Sequence, residues 1–466
     1  MVAKGDFTVN IRRNETVAAV LPMQEHWLPQ SNLDLILPPV DVSVFFCYKK
    51  PTGAENLFTF GSMVSVLKKA MAQTLVSYYA FAGELVQNTV GEPELLCNNR
   101  GVEFLEAFAD VELRELNLYN PDESIKGKLV PNKKQGVLSV QATELKCGGL
   151  VVACTFDHRV ADAYSANMFL ISWAEMAQSK PLSQLPSFRR SMLNPRRPGY
   201  YDPSLDNMYV TVSALQPPKD PQPATPIDSL ISRIYYIEAD QLSTLQSLAS
   251  GNGCKRTKLE AFSAFLWKMI ASVQHVSGKI CKMGIVVDGR TRLSEGDNEK
   301  ATIMAAYFGN VLSVPFSEKS IDELTEKPLS WVANAIHECL ETVVTKEHFL
   351  GLIDWIEAHR VEPALAKIYA GSGNEDDGSA LVVSSGQRFP VSKVDFGWGK
   401  PAFGSYYFPW GGEAGYVMPM PSPAGNGDWV VYMHLLKGQL EMIERQAAHF
   451  LKPLTCEYLN FLLPYE

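Results

Sequence analysis

A chain of 466 residues is too long for one ordinary hydrophobic core and long enough for two domains of about 200 residues each, and its 46% hydrophobic and 20% charged residues exclude disorder as the default. A net charge of −9 argues against a nucleic-acid binder, which needs a broad basic surface, so any anionic ligand must find a local basic patch. The eight cysteines, at 47, 97, 147, 154, 254, 281, 339 and 456, form no CxxC pair and no Cys/His cluster at metal spacing; they read as reduced thiols, and no metal is expected. Residues 1–13 alternate polar and apolar residues rather than forming a signal peptide, and no run of about eighteen apolar residues occurs, so the reading is a cytoplasmic protein with no membrane partner. The glycosylation acceptor Asn14-Glu15-Thr16 is then without use.

In chain order, Phe7 to Ile11 alternates like a strand, and the Pro-broken segment His26 to Asp34 precedes a strand over Val42–Tyr48. His26, beside Trp27, reads as a loop histidine packed on its neighbours. Apolar residues at Met63, Val66, Leu67, Ala70, Met71, Leu75 and Tyr78 form a helical stripe that stops at Gly83. Strands are expected at Glu94–Cys97, Val102–Ala107 and Gly136–Leu145, the last as partner of a strand beginning near Val151. That strand is the centre of interest. Val151-Val152-Ala153-Cys154-Thr155-Phe156 ends in Asp157-His158, which places a histidine at the mouth of a rigid element, and Asp162 lies four residues on. If the chain turned helical there, both side chains would share a face, and the carboxylate or its partners could fix the imidazole. A helix from Ala163 to Gln178 leaves the site.

From Ser179 to about Asp228 ten prolines rule out sustained helix or central strand, so the segment reads as a long, ordered or semi-rigid connection. The expected division is an N-terminal domain over 1–180, a Pro-rich crossover over 181–228 and a C-terminal domain over 229–466. The second half opens with a strand at Ser232–Ile237 and a helix at Ala239–Ser250. Thr257-Lys258-Leu259-Glu260 is a capping box for a helix over Leu259–Val273; with Lys255 and Arg256 before it, it is either a solvated helix start or an anion site. Ile285 to Arg290 reads as a strand ending in charge, Gly371 to Gly378 as an acidic, Gly-rich surface loop, Trp429–Leu436 as a strand and Gln439–Phe450 as an amphipathic helix. In Val394-Asp395-Phe396-Gly397-Trp398-Gly399-Lys400 two glycines flank a tryptophan after an aspartate, a pattern for a tight turn and close approach that core packing does not demand.

His158-x-x-x-Asp162 with the downstream Asp395-Phe396-Gly397-Trp398-Gly399 resembles the plant BAHD family of acyl-CoA-dependent acyltransferases. The resemblance spans the chain, since Ser31-Asn32-Leu33-Asp34, Ala82-Gly83, Val287-Asp288-Gly289-Arg290 and Tyr307-Phe308-Gly309-Asn310 follow that family's order. It implies a mixed α/β fold of two similar chloramphenicol-acetyltransferase-like domains with a channel between them, no permanently bound cofactor, acyl-CoA as co-substrate, a small-molecule alcohol acceptor and a monomer. His158 is then the general base, with no covalent intermediate, because a thioester is already activated and an imidazole can accept a proton at neutral pH. Asp162 pairs with Arg290 in a structural role, and Asp395 ties down the Gly397-Trp398-Gly399 turn. Lys255, Arg256 and Thr257 are expected to meet the phosphates of acyl-CoA.

Three departures from the family pattern matter. Ala163 stands where glycine is usual, which is tolerable if its backbone is helical. Ser384-Ser385-Gly386 replaces a Thr-Ser-Trp run, which leaves Ser384 as the candidate oxyanion donor. Tyr369-Ala370-Gly371 lacks the arginine that shikimate-using relatives place there. A neutral phenylpropanoid alcohol such as coniferyl alcohol is the expected acceptor, which the run from His26 to Lys50 also resembles; a shikimate- or quinate-type alcohol, an amine, or a ligand-binding protein without turnover are the alternatives.

Overall fold

Leu150–Asp157 is buried along its whole length, so it reads as a continuous apolar run rather than an alternating one. The computed structural model describes residues 6–51, 58–215, 229–251, 254–273, 278–360, 362–370, 377–410, 412 and 414–461. Among these, Leu150–Asp157 lies inside a six-stranded sheet in the order Val9–Val17, Val102–Ala109, Leu138–Leu145, Leu150–Asp157, Asp41–Tyr48 and Phe403–Tyr407. It is antiparallel to both neighbours, with Cys154 opposite Val140 on one side and Val44 on the other. The helices Phe60–Ser77 and Ala163–Ala177 pack on each other, and Trp173 of the second donates its indole N–H to the Leu67 carbonyl of the first at 2.9 Å.

The second sheet has eight strands, built on the path Leu312–Ser313, Ile280–Asp288, Asp377–Ser384, Ala414–Pro421, Trp429–Leu436, Leu230–Ile237 and Lys452–Pro453, with Phe316–Ser320 paired to Ile280–Asp288. Its own core includes Trp267, Ile270, Leu381, Val431 and Leu440. The fold is therefore mixed α/β with two sheet-centred domains. One strand departs from the expected division: Phe403–Tyr407, far into the C-terminal half, joins the N-terminal sheet beside Asp41–Tyr48.

The proline-rich segment is ordered over 179–215 because it is pinned, and its remainder, 216–228, lies outside the described residues, as does 371–376 of the acidic loop. Arg190 donates from Nη1 to the Phe308 carbonyl at 2.6 Å and the Tyr307 hydroxyl at 2.9 Å. Arg196 pairs through Nε with the buried Asp354 at 2.7 Å, whose carboxylate also accepts the Arg196 and Tyr200 backbone N–H groups. Tyr209–Thr211 pairs antiparallel with Ala364–Ala366, and Leu193, Leu205 and Tyr209 join Phe349, Leu352 and Trp355 in a third core. No described helix is long and apolar enough to cross a membrane, and all eight cysteines are free thiols.

Candidate active site

The strand stops at Asp157, one residue before the histidine, and Asp157 turns back to hold Arg159 through Nε at 2.9 Å and Nη2 at 2.7 Å. His158 thus sits in the turn between the strand and the helix that Ala163 opens. Its backbone N–H donates to the Val40 carbonyl at 2.9 Å, and its carbonyl accepts from Asn310 Nδ2 at 2.9 Å. The ring nitrogen Nδ1 is buried with no partner, which leaves Nε2 as the nitrogen available to the cavity that His158 lines.

Asp162 does not fix that ring. The chain between His158 and Asp162 is a turn, and Asp162 is the N-cap of Ala163–Ala177, accepting the Ser165 N–H at 2.9 Å. His158 and Asp162 therefore share no helical face, contrary to the expectation from their spacing. The carboxylate is committed to Arg290, with Nη1–Oδ2 2.8 Å and Nη2–Oδ1 3.1 Å, and to the Val311 N–H. Arg290 also donates to the carbonyl of Gly309 at 2.9 Å and the hydroxyl of Ser165 at 3.1 Å, and its guanidinium lies 4.3 Å above the Tyr164 ring. Burial alone would lower the Arg290 pKa; Asp162 and then Asp288 outweigh it and raise it, so the group stays charged. Ala163, as the first helical residue, carries its methyl group without strain.

The Asp395 turn has the geometry its glycines suggested. Asp395 Oδ1 accepts the N–H groups of Gly397 at 2.8 Å and Gly399 at 3.0 Å, and these glycines hold φ values of 112° and 107°, which a side chain would disfavour. Trp398 packs edge-on against Tyr48, whose hydroxyl donates to the Val394 carbonyl at 2.8 Å. The turn lies outside the lining of the cavity and braces the segment that leads into Phe403–Tyr407.

The cavity is about 370 Å³, and its walls come from both sheets: Val40, Val42 and His158 from one side, Val286, Ser384 and Met418 from the other. Most of the wall is apolar or aromatic. Phe408 meets the His158 ring edge-on at 6.2 Å and Tyr416 at 5.0 Å. The Tyr416 phenol is pushed up by burial and partly relieved by a hydrogen bond with Ser384, and burial also raises Tyr369 and Tyr406, so all three remain protonated donors at ordinary pH. Two carboxylates reach the cavity, and both have cationic partners: Asp162 has Arg290, and Asp288 has Arg290 Nη1 at 3.3 Å and Arg388 Nη1 at 3.7 Å.

Lys255, Arg256 and Thr257 are not part of this lining. The capping box forms, with the Thr257 N–H on Glu260 Oε2 at 2.6 Å and the Glu260 N–H on Thr257 Oγ1 at 3.1 Å. Lys255 is exposed, whereas Arg256 is buried and donates to the Asn334 side-chain oxygen. No group of three or more His, Cys, Asp or Glu side chains is placed to hold a metal ion among the described residues. Sequence reasoning assigned no role to Asn310, Tyr416, Asp288 or Arg388. For Asp288 and Asn310 a signal exists in the sequence, since they lie in Val287-Asp288-Gly289-Arg290 and Tyr307-Phe308-Gly309-Asn310.

Comparison with known proteins agrees with this fold. The mixed α/β fold of two sheet-centred domains is that of CoA-dependent acyltransferases. The family described as "Transferase family" matches residues 7–450, and the chain belongs to it, as a BAHD acyl-CoA-dependent acyltransferase. It is 28% identical over 447 residues to a shikimate O-hydroxycinnamoyltransferase of Nicotiana tabacum, covering 92% of this chain and 96% of that one. It is also 28% identical to an omega-hydroxypalmitate O-feruloyl transferase of Arabidopsis thaliana, over 80% of this chain and 78% of the relative. Vinorine synthase has the same fold, with a TM-score of 0.68 at 18% identity over 94% of this chain and 97% of that one. So has F. graminearum TRI101 complexed with coenzyme A and deoxynivalenol, with a TM-score of 0.72 at 14% identity over 91% and 99%.

Proposed function

We propose that the protein transfers an acyl group from a CoA thioester to the hydroxyl of a neutral phenylpropanoid alcohol, coniferyl alcohol being the leading acceptor. The observation that carries this reading is the charge balance of the cavity: its walls are apolar and aromatic, and its two carboxylates are already paired with Arg290 and Arg388. A neutral ring loses nothing on entering such a site, whereas an ammonium acceptor finds no free anion and must leave its hydration behind.

In the proposed mechanism His158 Nε2 takes the hydroxyl proton as the acceptor oxygen attacks the thioester carbonyl. The negative charge passes to the carbonyl oxygen, for which Ser384, beside Tyr416 in the cavity wall, is the candidate donor. Collapse breaks the carbon–sulfur bond, and the imidazolium returns its proton to the departing thiolate. No group of the protein is acylated. The phosphates of acyl-CoA are assigned to the helix start at Thr257 with Lys255, which leaves the cavity to the reacting ends.

The second reading is a carboxylated acceptor of the shikimate or quinate kind. Arg388, a cation in the cavity wall, and the similarity to the tobacco shikimate enzyme favour it. Such an acceptor would have to take Arg388 from Asp288. Specificity constants measured in parallel for coniferyl alcohol, shikimate, quinate and an aliphatic polyamine, with one acyl-CoA, separate the readings. Preference for shikimate or quinate replaces the first reading with the second, and preference for the polyamine replaces both with N-acylation.

A further inference from the structure

His158 is held by its backbone rather than by its ring. Its N–H is on Val40 and its carbonyl accepts from Asn310 Nδ2, while Nδ1 of the ring has no partner. Histidines that act as bases are commonly oriented by a carboxylate or carbonyl on the second ring nitrogen. Among the described residues none supplies that device, so the position of Nε2 depends on how firmly the backbone of residue 158 is fixed.

The fixing point is Asn310, which is fully buried. One amide hydrogen of Nδ2 serves the His158 carbonyl at 2.9 Å and the other serves Asp34 Oδ1 at 2.9 Å, so both are used. The backbone N–H of Asn310 reaches the same Asp34 oxygen at 2.8 Å. Asp34 is 1% exposed, and its other oxygen accepts the Ser31 N–H at 2.9 Å and the Ser31 hydroxyl at 2.7 Å. Four neutral donors, two from Ser31 and two from Asn310, which lies 276 positions beyond Asp34, converge on one buried carboxylate. The buried Arg190 guanidinium offsets part of the charge, but burying a carboxylate with its donors is still costly where an apolar plug would fill the space, so packing alone does not account for it.

We infer that Asp34 and Asn310 are positioning residues for His158: Asp34 locks the Asn310 amide, which clamps the His158 carbonyl and so sets where Nε2 stands against the bound hydroxyl. The inference rests on the proposal that His158 is the base. A displacement of about 1 Å at a reacting group can cost on the order of 100-fold in rate, so the clamp acts on turnover and not on substrate affinity.

The test compares kcat and the KM for acyl-CoA and for acceptor in Asn310→Ala, Asn310→Ser, Asp34→Ala and Asp34→Asn, with melting temperatures. The expected result is a fall in kcat of about 10- to 100-fold in Asn310→Ala, Asn310→Ser and Asp34→Ala, with both KM values within about threefold of wild type. Asp34→Asn keeps an oxygen for Asn310 and recovers most of kcat. Glu444→Gln, which loosens the remote Tyr119 and Tyr235 hydroxyl contacts, is the control that lowers the melting temperature without touching kcat. If Asn310→Ala does not fold, Asn310→Ser decides. Turnover within threefold of wild type in a folded Asn310 variant, or an equal loss of kcat in the control at an equal fall in melting temperature, overturns the clamp. His158→Ala separates the two ideas: a dead His158→Ala with fast clamp variants removes only the clamp, and an active His158→Ala removes the base.

Discussion

Arg290 reaches from the end of the second sheet to close two hydrogen bonds, of 2.8 and 3.1 Å, on Asp162 at the cap of the helix that leaves the first. With exposures of 2% and 1%, the pair is dry, and the same guanidinium gathers the Gly309 carbonyl and Ser165. Asp162 therefore ties the two domains together.

Breaking that joint from either side should cost stability first and activity second. Removing one partner of a buried pair leaves the other uncompensated, at about 3 to 5 kcal/mol. Asp162→Asn and Arg290→Ala are each expected to lower the free energy of unfolding in urea by that amount, with residual activity proportional to the folded fraction. A variant that unfolds like wild type but has lost turnover would instead give Asp162 a direct part in the chemistry.

His158→Ala is expected to reduce kcat by about two to four decades while leaving the melting temperature within a few degrees, because the base is lost and little packing goes with it. Retention of activity within tenfold of wild type would remove the histidine from the mechanism.

What could be read from the amino-acid order, and what could not, follows from the range of each signal. The strand that presents His158 was legible because six apolar or β-forming residues run into the polar turn, and the Thr257 helix start because its capping box is local. The Asp395 turn was legible because only glycines tolerate its backbone. The helices Leu329–Val343 and Lys346–Ala358 were passed over, although Ser320 to Glu323 forms a readable capping box just upstream. Nothing local announced that Phe403–Tyr407 would join the first sheet, or that Asn310 would meet His158 across 152 positions. Register between distant strands is settled by packing, which a short window does not contain.

The acyl-CoA assignment at the Thr257 helix divides its two cations. Lys255 is exposed, whereas the Arg256 side chain is spent on Asn334. Lys255→Ala should therefore raise the KM for acyl-CoA several-fold at low salt, with the KM for the acceptor and the melting temperature unchanged. Arg256→Ala should chiefly lower stability. An acyl-CoA KM that is indifferent to Lys255→Ala would place the phosphates elsewhere.

The remaining prediction concerns acid. His348 Nε2 shares a hydrogen bond of 2.8 Å with Ser313, whose hydroxyl meets Tyr209 in the cavity wall at 2.8 Å, and burial lowers the ring's pKa from its ordinary 6.5 to about 4. The unfolded chain therefore takes up a proton near pH 6.5 that the folded chain refuses until about pH 4, so over that window the unfolded state binds more protons and stability falls as pH falls. Above pH 6.5 neither state carries the charge, and below pH 4 both do, so the loss is confined between them. One unit of separation is worth about 1.4 kcal/mol, and with solvent reaching part of the ring the total is on the order of 1 to 2 kcal/mol. His434, also lowered by burial, adds a loss of the same sign. Urea unfolding of wild type and His348→Gln at pH 7 and pH 5 isolates the first contribution: wild type should lose about 1 kcal/mol more than the variant on acidification, and equal losses would show that this ring does not titrate with folding.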